Sequence, residues 1–166
     1  MSVPETAPRA ARGGKYLTFG LADEDYGLEI LKVHEILGLL PITRVPRTPP
    51  AIRGVINLRG RVIPILDLRV RFGLPAAEAS RTTCIIVVQT GALTMGLLVD
   101  KVSEVLTIAE AEIEDTPSFG LAVNTDFLLG IGKAQGRVKL LLDIDRVLSG
   151  EEAQQLHELS DASENP

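Results

Sequence analysis

The chain contains no tryptophan, a single cysteine and two histidines, and only two tyrosines and four phenylalanines. One cysteine, Cys84, excludes an internal disulfide and fits a reducing compartment. His34, His157 and Cys84 show no HxH, CxxC or HExxH spacing, so no zinc site and no metal or other cofactor is expected. Cys84 opens the run CIIVV, where a cysteine reads as a buried core residue rather than a nucleophile. Aromatics make up 4% of the chain, the formal net charge is −5 and the isoelectric point is near 5.1. This balance opposes phosphate binding, base stacking and attraction to an anionic membrane surface, so no nucleic acid partner is expected. No apolar run approaches the roughly 18 residues of a membrane span, and MSVPETAPRAARGG lacks a signal peptide's apolar centre. A cytoplasmic protein without direct membrane insertion is the expectation.

What is present is a duplication. Residues 26–37 read YGLEILKVHEIL, and residues 95–106 read MGLLVDKVSEVL. Residues 54–68 read GVINLRGRVIPILDL, and residues 130–144 read GIGKAQGRVKLLLDI. The two pairs come in the same order, so the chain of 166 residues holds two versions of one unit. Residues common to both copies should build the unit. Residues particular to one copy are candidates for a task.

Alternating and β-branched runs at 15–21, 26–30, 55–58, 62–66, 83–89, 93–99, 127–131 and 138–142 predict many short strands. Residues 32–37 fit either a strand or a helical turn. Asp67 caps a predicted helical turn that Gly73 stops, and Asp143 repeats the cap. The acidic segment 109–118 reads as a loop. About five strands per copy suit a small closed barrel of SH3-like or OB-like type, which hides most strand edges. The expected fold is mainly β. It has two tandem barrels (about 15–81 and 82–148), short helical turns and a C-terminal helix over about 151–159. Residues 1–14 and 161–166 read as tails flanking one domain at 15–160.

No catalytic constellation emerges, and an enzyme is not expected. Asp67 and Asp143 occupy one place in both copies and are read as helix caps, with Asp67→Asn expected to be nearly neutral. Gly130 to Gly136 precedes a strand rather than a helix and lacks the spacing of a phosphate loop. Comparison of the copies is more informative. Arg59, in the turn NLRG, has no counterpart, because the second copy carries KAQG there. Glu35 does have one, Glu104. A Glu35–Arg59 ion pair is expected if their strands meet, since a guanidinium suits a carboxylate. Val33, Ile36, Val102 and Val105 form a duplicated apolar set that fits either a core or a groove for an amphipathic helix. Residues 44–71 carry seven arginines and are locally basic.

GVINLRGRVIPILDLRVRFG at 54–73, preceded by YGLEILKVHEIL and followed by MGLLVDKVSEVL, resembles the CheW family of bacterial chemotaxis coupling proteins. The resemblance spans roughly 15–159 and implies two intertwined SH3-like barrels with a cleft between them. It further implies a non-catalytic adaptor joining the cytoplasmic tip of chemoreceptors to the regulatory domain of a CheA-type histidine kinase, in membrane-associated rings or arrays. An adaptor of the same fold in a chemosensory pathway for twitching, development or gene control is the alternative. Carried over by position, Val33, Glu35, Gly54, Arg59, Gly96, Val102 and Val105 match the receptor site. Arg53 and Val62 match the kinase-binding side, and Phe119 matches a ring contact.

Overall fold

The computed structural model describes residues 12–91, 93–115 and 127–148, together with the exposed helical residue Glu158. The first copy supplies β1 (Gly14–Leu21), β2 (Glu24–Glu29), β3 (Val33–Gly38), β4 (Ile52–Leu58), β5 (Arg61–Asp67) and the short α1 (Leu68–Arg71). The second supplies β6 (Cys84–Thr90), β7 (Leu93–Val99), β8 (Lys101–Ile108), β9 (Ile113–Glu114), β10 (Leu128–Ala134) and β11 (Arg137–Leu142). Residues 32–37 resolve into the end of a 3-10 turn followed by β3. The acidic segment is not loop alone, since it contains a 3-10 turn and β9. The rest of the helix expected at 151–159, and His157, lie outside the described residues.

The chain is mainly β, in two sheets. Sheet A runs β8-β1-β2-β11-β10-β9, and sheet B runs β3-β6-β7-β5-β4. By the repeat, β8 corresponds to β3, β1 to β6, β2 to β7, β11 to β5 and β10 to β4. The two sheets therefore share one strand order. The boundary at 81/82 separates the repeats in sequence but not the sheets. Hairpin β1–β2 sits among strands of the second copy, and hairpin β6–β7 among strands of the first. A whole hairpin is exchanged. Its inner strand makes the parallel contact of each sheet, β2 with β11 and β7 with β5.

Both exchanged hairpins are buried on both faces. On β1, Leu17, Phe19 and Leu21 enter a central cluster between the sheets, while Tyr16 enters a core within sheet A with Ile108, Ile113 and Leu141. On β7, Leu93, Met95, Leu97 and Val99 enter the central cluster, and Leu98 joins Ile56, Ile63, Ile65 and Ile85 inside sheet B. Double-sided burial explains why these strands read as continuous apolar runs rather than clean alternations. A stacked column of Phe19, Tyr26, Phe72 and Phe127 threads the central cluster, with centroid spacings of 5.7, 5.6 and 4.7 Å.

Local devices repeat with the strands. Arg59-Gly60 and Gln135-Gly136 both have two positive φ values, as a tight hairpin turn requires. Asn57 Oδ1 accepts from the Gly60 amide at 2.9 Å. Pairing slips by a residue between Ile52 and Gly54 and between Leu128 and Gly130, so each glycine sits at a bulge. Gly54 has φ 142, and a Cβ there would collide with the Thr43 carbonyl. Its counterpart Gly130 would bring a Cβ to 2.8 Å from the Glu114 carbonyl oxygen. Asp67 accepts from the amides of Arg69 and Val70, and Asp143 from that of Asp145, so both act as caps.

Candidate partner-binding site

Glu35 lies on β3, one edge strand of sheet B, and Arg59 lies in the turn leaving β4, the opposite edge. The Arg59 guanidinium donates to the Glu35 carboxylate. A flat five-stranded sheet would hold these groups too far apart, so the contact means that sheet B curls on itself. The hydrophobic cluster of sheet B fills the space so enclosed, with Leu37 of β3 packed against it. Arg59 is 70% exposed and Glu35 32%, which leaves the pair open to a partner and gives it little weight in stability. Sheet A has Glu104 and Gln135 in the corresponding places, where no ion pair can form between them.

The other expected site residues divide by burial. Val33 and Val102 are half-buried and pack on the central cluster. Ile36 and Val105, their neighbours along β3 and β8, are 46% and 48% exposed. The duplicated set is thus part core margin and part surface, which the sequence left open. Gly54 and Gly96 are buried. A Cβ on Gly96 would stand 2.7 Å from both Ile65 Cδ1 and Ile85 Cγ2, so this glycine faces the interior of sheet B. Both glycines set backbone position rather than present a contact. Phe119 lies outside the described residues.

Arg53 is exposed on β4 and donates to Asp67 at 2.7 Å, while Val62, one strand over, is half-buried. Asp67 therefore caps α1 with one oxygen and holds Arg53 with the other. This corrects the expectation that Asp67→Asn is nearly neutral: an amide nitrogen toward Arg53 would set donor against donor. Arg44, Arg47 and Arg53 line a concavity stiffened by Pro46, Pro49 and Pro50. The basic character of this stretch is thereby concentrated on one side of β4.

Two of the ion pairs that were not foreseen have both side chains largely buried. Arg69 Nε and Nη2 donate to the two oxygens of Asp100 at 2.8 and 2.7 Å, and Ala22 N adds a third bond to that carboxylate. The Arg69 hydrogen bond, foremost, holds the Asp100 carboxyl below the usual carboxylate range. Lys139 is 6% exposed and donates to Asp25 at 2.9 Å. The only hint in the sequence is that Lys139 stands where the first copy has Ile63. Cys84 is half-buried on β6, and burial pushes its thiol up, away from the reactive thiolate. Among the described residues, no group of three or more His, Cys, Asp or Glu side chains could hold a metal ion. Among those residues, no helix is long and apolar enough to cross a membrane.

A duplicated two-sheet β module with a curled sheet, an accessible ion pair and a basic flank defines a protein-interaction module. The chain belongs to the CheW-like domain family, whose model matches residues 15–152. It is 41% identical over 140 residues to the chemotaxis protein CheW of Klebsiella aerogenes, covering 84% of each chain. It is 38% identical over 147 residues to CheW of Rhizobium meliloti, covering 88% of this chain and 95% of that one. Among solved structures it is similar to the scaffolding protein TtCheW from Thermoanaerobacter tengcongensis, at 37% identity and TM-score 0.77, covering 84% of this chain and 95% of the other.

Proposed function

We propose that this protein is a scaffold that couples chemoreceptors to a CheA-type histidine kinase in chemosensory signal transduction. The observation that carries the reading is the Glu35–Arg59 pair, accessible on sheet B and without a counterpart on sheet A. Its exposure gives it little weight in stability and leaves both charges within reach of a partner. Family membership and the relatives' names as chemotaxis and scaffolding proteins support the same reading.

In this reading the receptor's helical tip docks by Val33, Glu35, Arg59, Val102 and Val105, with Gly54 and Gly96 fixing the strands beneath. The kinase regulatory domain meets the side of Arg53 and Val62, and Phe119 contributes to ring closure. The two sheets, each built from strands of both copies, are the units of these contacts. The protein works without catalysis, in the cytoplasm, recruited to receptor arrays. The arginines of 44–53 orient acidic partner surfaces and favour the right encounter. Coupling follows if tip and kinase make different contacts in the two kinase states, because a ligand can shift only an equilibrium it binds unequally.

The test is a pull-down from bacterial lysate with the tagged protein and its Arg59→Ala variant. A CheA-type kinase is expected with both, and receptors only with the natural chain. Recovery of neither partner by a folded protein would overturn the reading. Phe119→Ser is expected to spare one-to-one kinase binding and to disorder arrays seen by cryo-tomography.

A further inference from the structure

We propose that a buried charge pair, placed in one sheet only, decides which hairpin joins which sheet. The two copies offer two assignments. Each hairpin can pair with its own copy's strands, or with those of the other copy as observed. The duplication makes both assignments similar in backbone and in period-2 pattern, so something must separate them. The two assignments differ in what each exchanged side chain meets.

Asp25 on β2 is the register partner of Lys139 on β11, and its side chain is 15% exposed. Tyr26 corresponds to Met95, so Asp25 corresponds to Thr94. Gly130 corresponds to Gly54, so Lys139 corresponds to Ile63. With hairpin β1–β2 returned to its own copy, Asp25 would lie opposite Ile63. Hairpin β6–β7 would then put Thr94 opposite Lys139. Arg61, the counterpart of Arg137, could still reach Asp25 as Arg137 now does at 3.1 Å. The penalty falls on Lys139: a buried ammonium would lose its counter-ion and face neutral groups.

Two further differences act in the same direction. Arg69 would lose Asp100, because Leu31 stands at the corresponding position with Lys32 beside it. The cores also differ in shape. Tyr16 fits a sheet A that has Gly132 where sheet B has Ile56, and Ile85 takes the place of Tyr16 in sheet B. Moving Tyr16 into sheet B would overpack it, and moving Ile85 into sheet A would leave a void. Lys32–Asp145, by contrast, does not discriminate, since Lys101 corresponds to Lys32. The consequence is mechanical: a chain crossing between the sheets in both directions keeps surfaces on sheet A and sheet B in fixed relation.

The test moves the carboxylate to the other hairpin, as Asp25→Thr with Thr94→Asp in the full chain, and reads strand pairing by nuclear Overhauser contacts. The natural chain should show Gly27 against Leu141. In the variant this contact should weaken and Gly27 against Ile65 should appear, as the relocated carboxylate draws β7 to Lys139. A folded variant with only the Gly27–Leu141 contact overturns the proposal. If this variant does not fold, Asp25→Thr with Lys139→Ile carries the test, because it makes the position alike in both sheets. A second, weaker set of resonances, absent from the natural chain, is then expected beside the first, the natural pairing still being favoured by Arg69–Asp100 and by the seat of Tyr16. A single set with only Gly27–Leu141 overturns the proposal.

Discussion

Sheets A and B are built from one plan and differ where it counts. They share strand order, the parallel contact, the bulge glycines, the tight turns and the capping aspartates. They part at Arg59 against Gln135, Ile63 against Lys139, and Arg53 against Leu129. What is common to both sheets sets backbone conformation. What is particular to one is a surface pair on sheet B and a buried pair in sheet A. The first offers a partner a charged contact. The second constrains the chain's own pairing.

The largest effect is expected at the bulge glycines. Gly54→Ala places a Cβ into the Thr43 carbonyl at φ 142, and should cost more than about 3 kcal/mol. Gly130→Ala meets a carbonyl at 2.8 Å and should cost less. Urea unfolding of both variants checks this; equal costs would mean that the two bulges are equivalent. Next is Arg69→Ala, which frees a partly buried carboxylate from a bidentate partner, at about 2 kcal/mol near neutral pH. Asp100 has a depressed folded pKa, so its contribution is present above its unfolded value of about 3.9 and is lost as pH falls through the folded value. The difference between natural and variant stability should therefore shrink in acid. A constant difference from neutral pH into acid would show that the loss is of packing alone.

The caps should differ more subtly. Asp67→Asn should cost about 1 kcal/mol because buried Asp67 holds Arg53 at 2.7 Å, while Asp143→Asn should cost less by thermal unfolding, its Arg146 partner being exposed and at 3.5 Å. Equal values would remove the distinction between them. The smallest stability effect is expected at Arg59→Ala, about 0.5 kcal/mol or less. Its effect should appear as lost kinase activation in receptor-containing membranes, with Gln135→Ala as the silent counterpart. Equal activation by Arg59→Ala and the natural chain would sink the assigned role.

Much of this was legible in the residues. The Glu35–Arg59 pair could be anticipated because a duplicated chain carries its own control: Arg59 lacks a counterpart. The caps and turns were legible because Asp before a helical turn and x-Gly between strands act within a few residues. Gly54 and Gly96 looked like contact residues and lie inside, since a glycine kept for close packing and one kept for a surface look alike in one sequence. Lys139, though it replaces Ile63 of the first copy, gave no sign that Asp25 is its partner, because nothing local tells which residue lies across a sheet.

The sequence by itself determined the repeat, the mainly β character, the tight turns and the helix caps. All of these follow from φ/ψ preferences and hydrogen bonds between near neighbours. Only the tertiary structure decided that the hairpins trade sheets, that both faces of β1 and β7 are buried, and that Lys139 finds Asp25. Strand partnership is settled between residues far apart in the chain. An alternating pattern satisfies either sheet equally, and burial, size and charge at the distant contact make the choice.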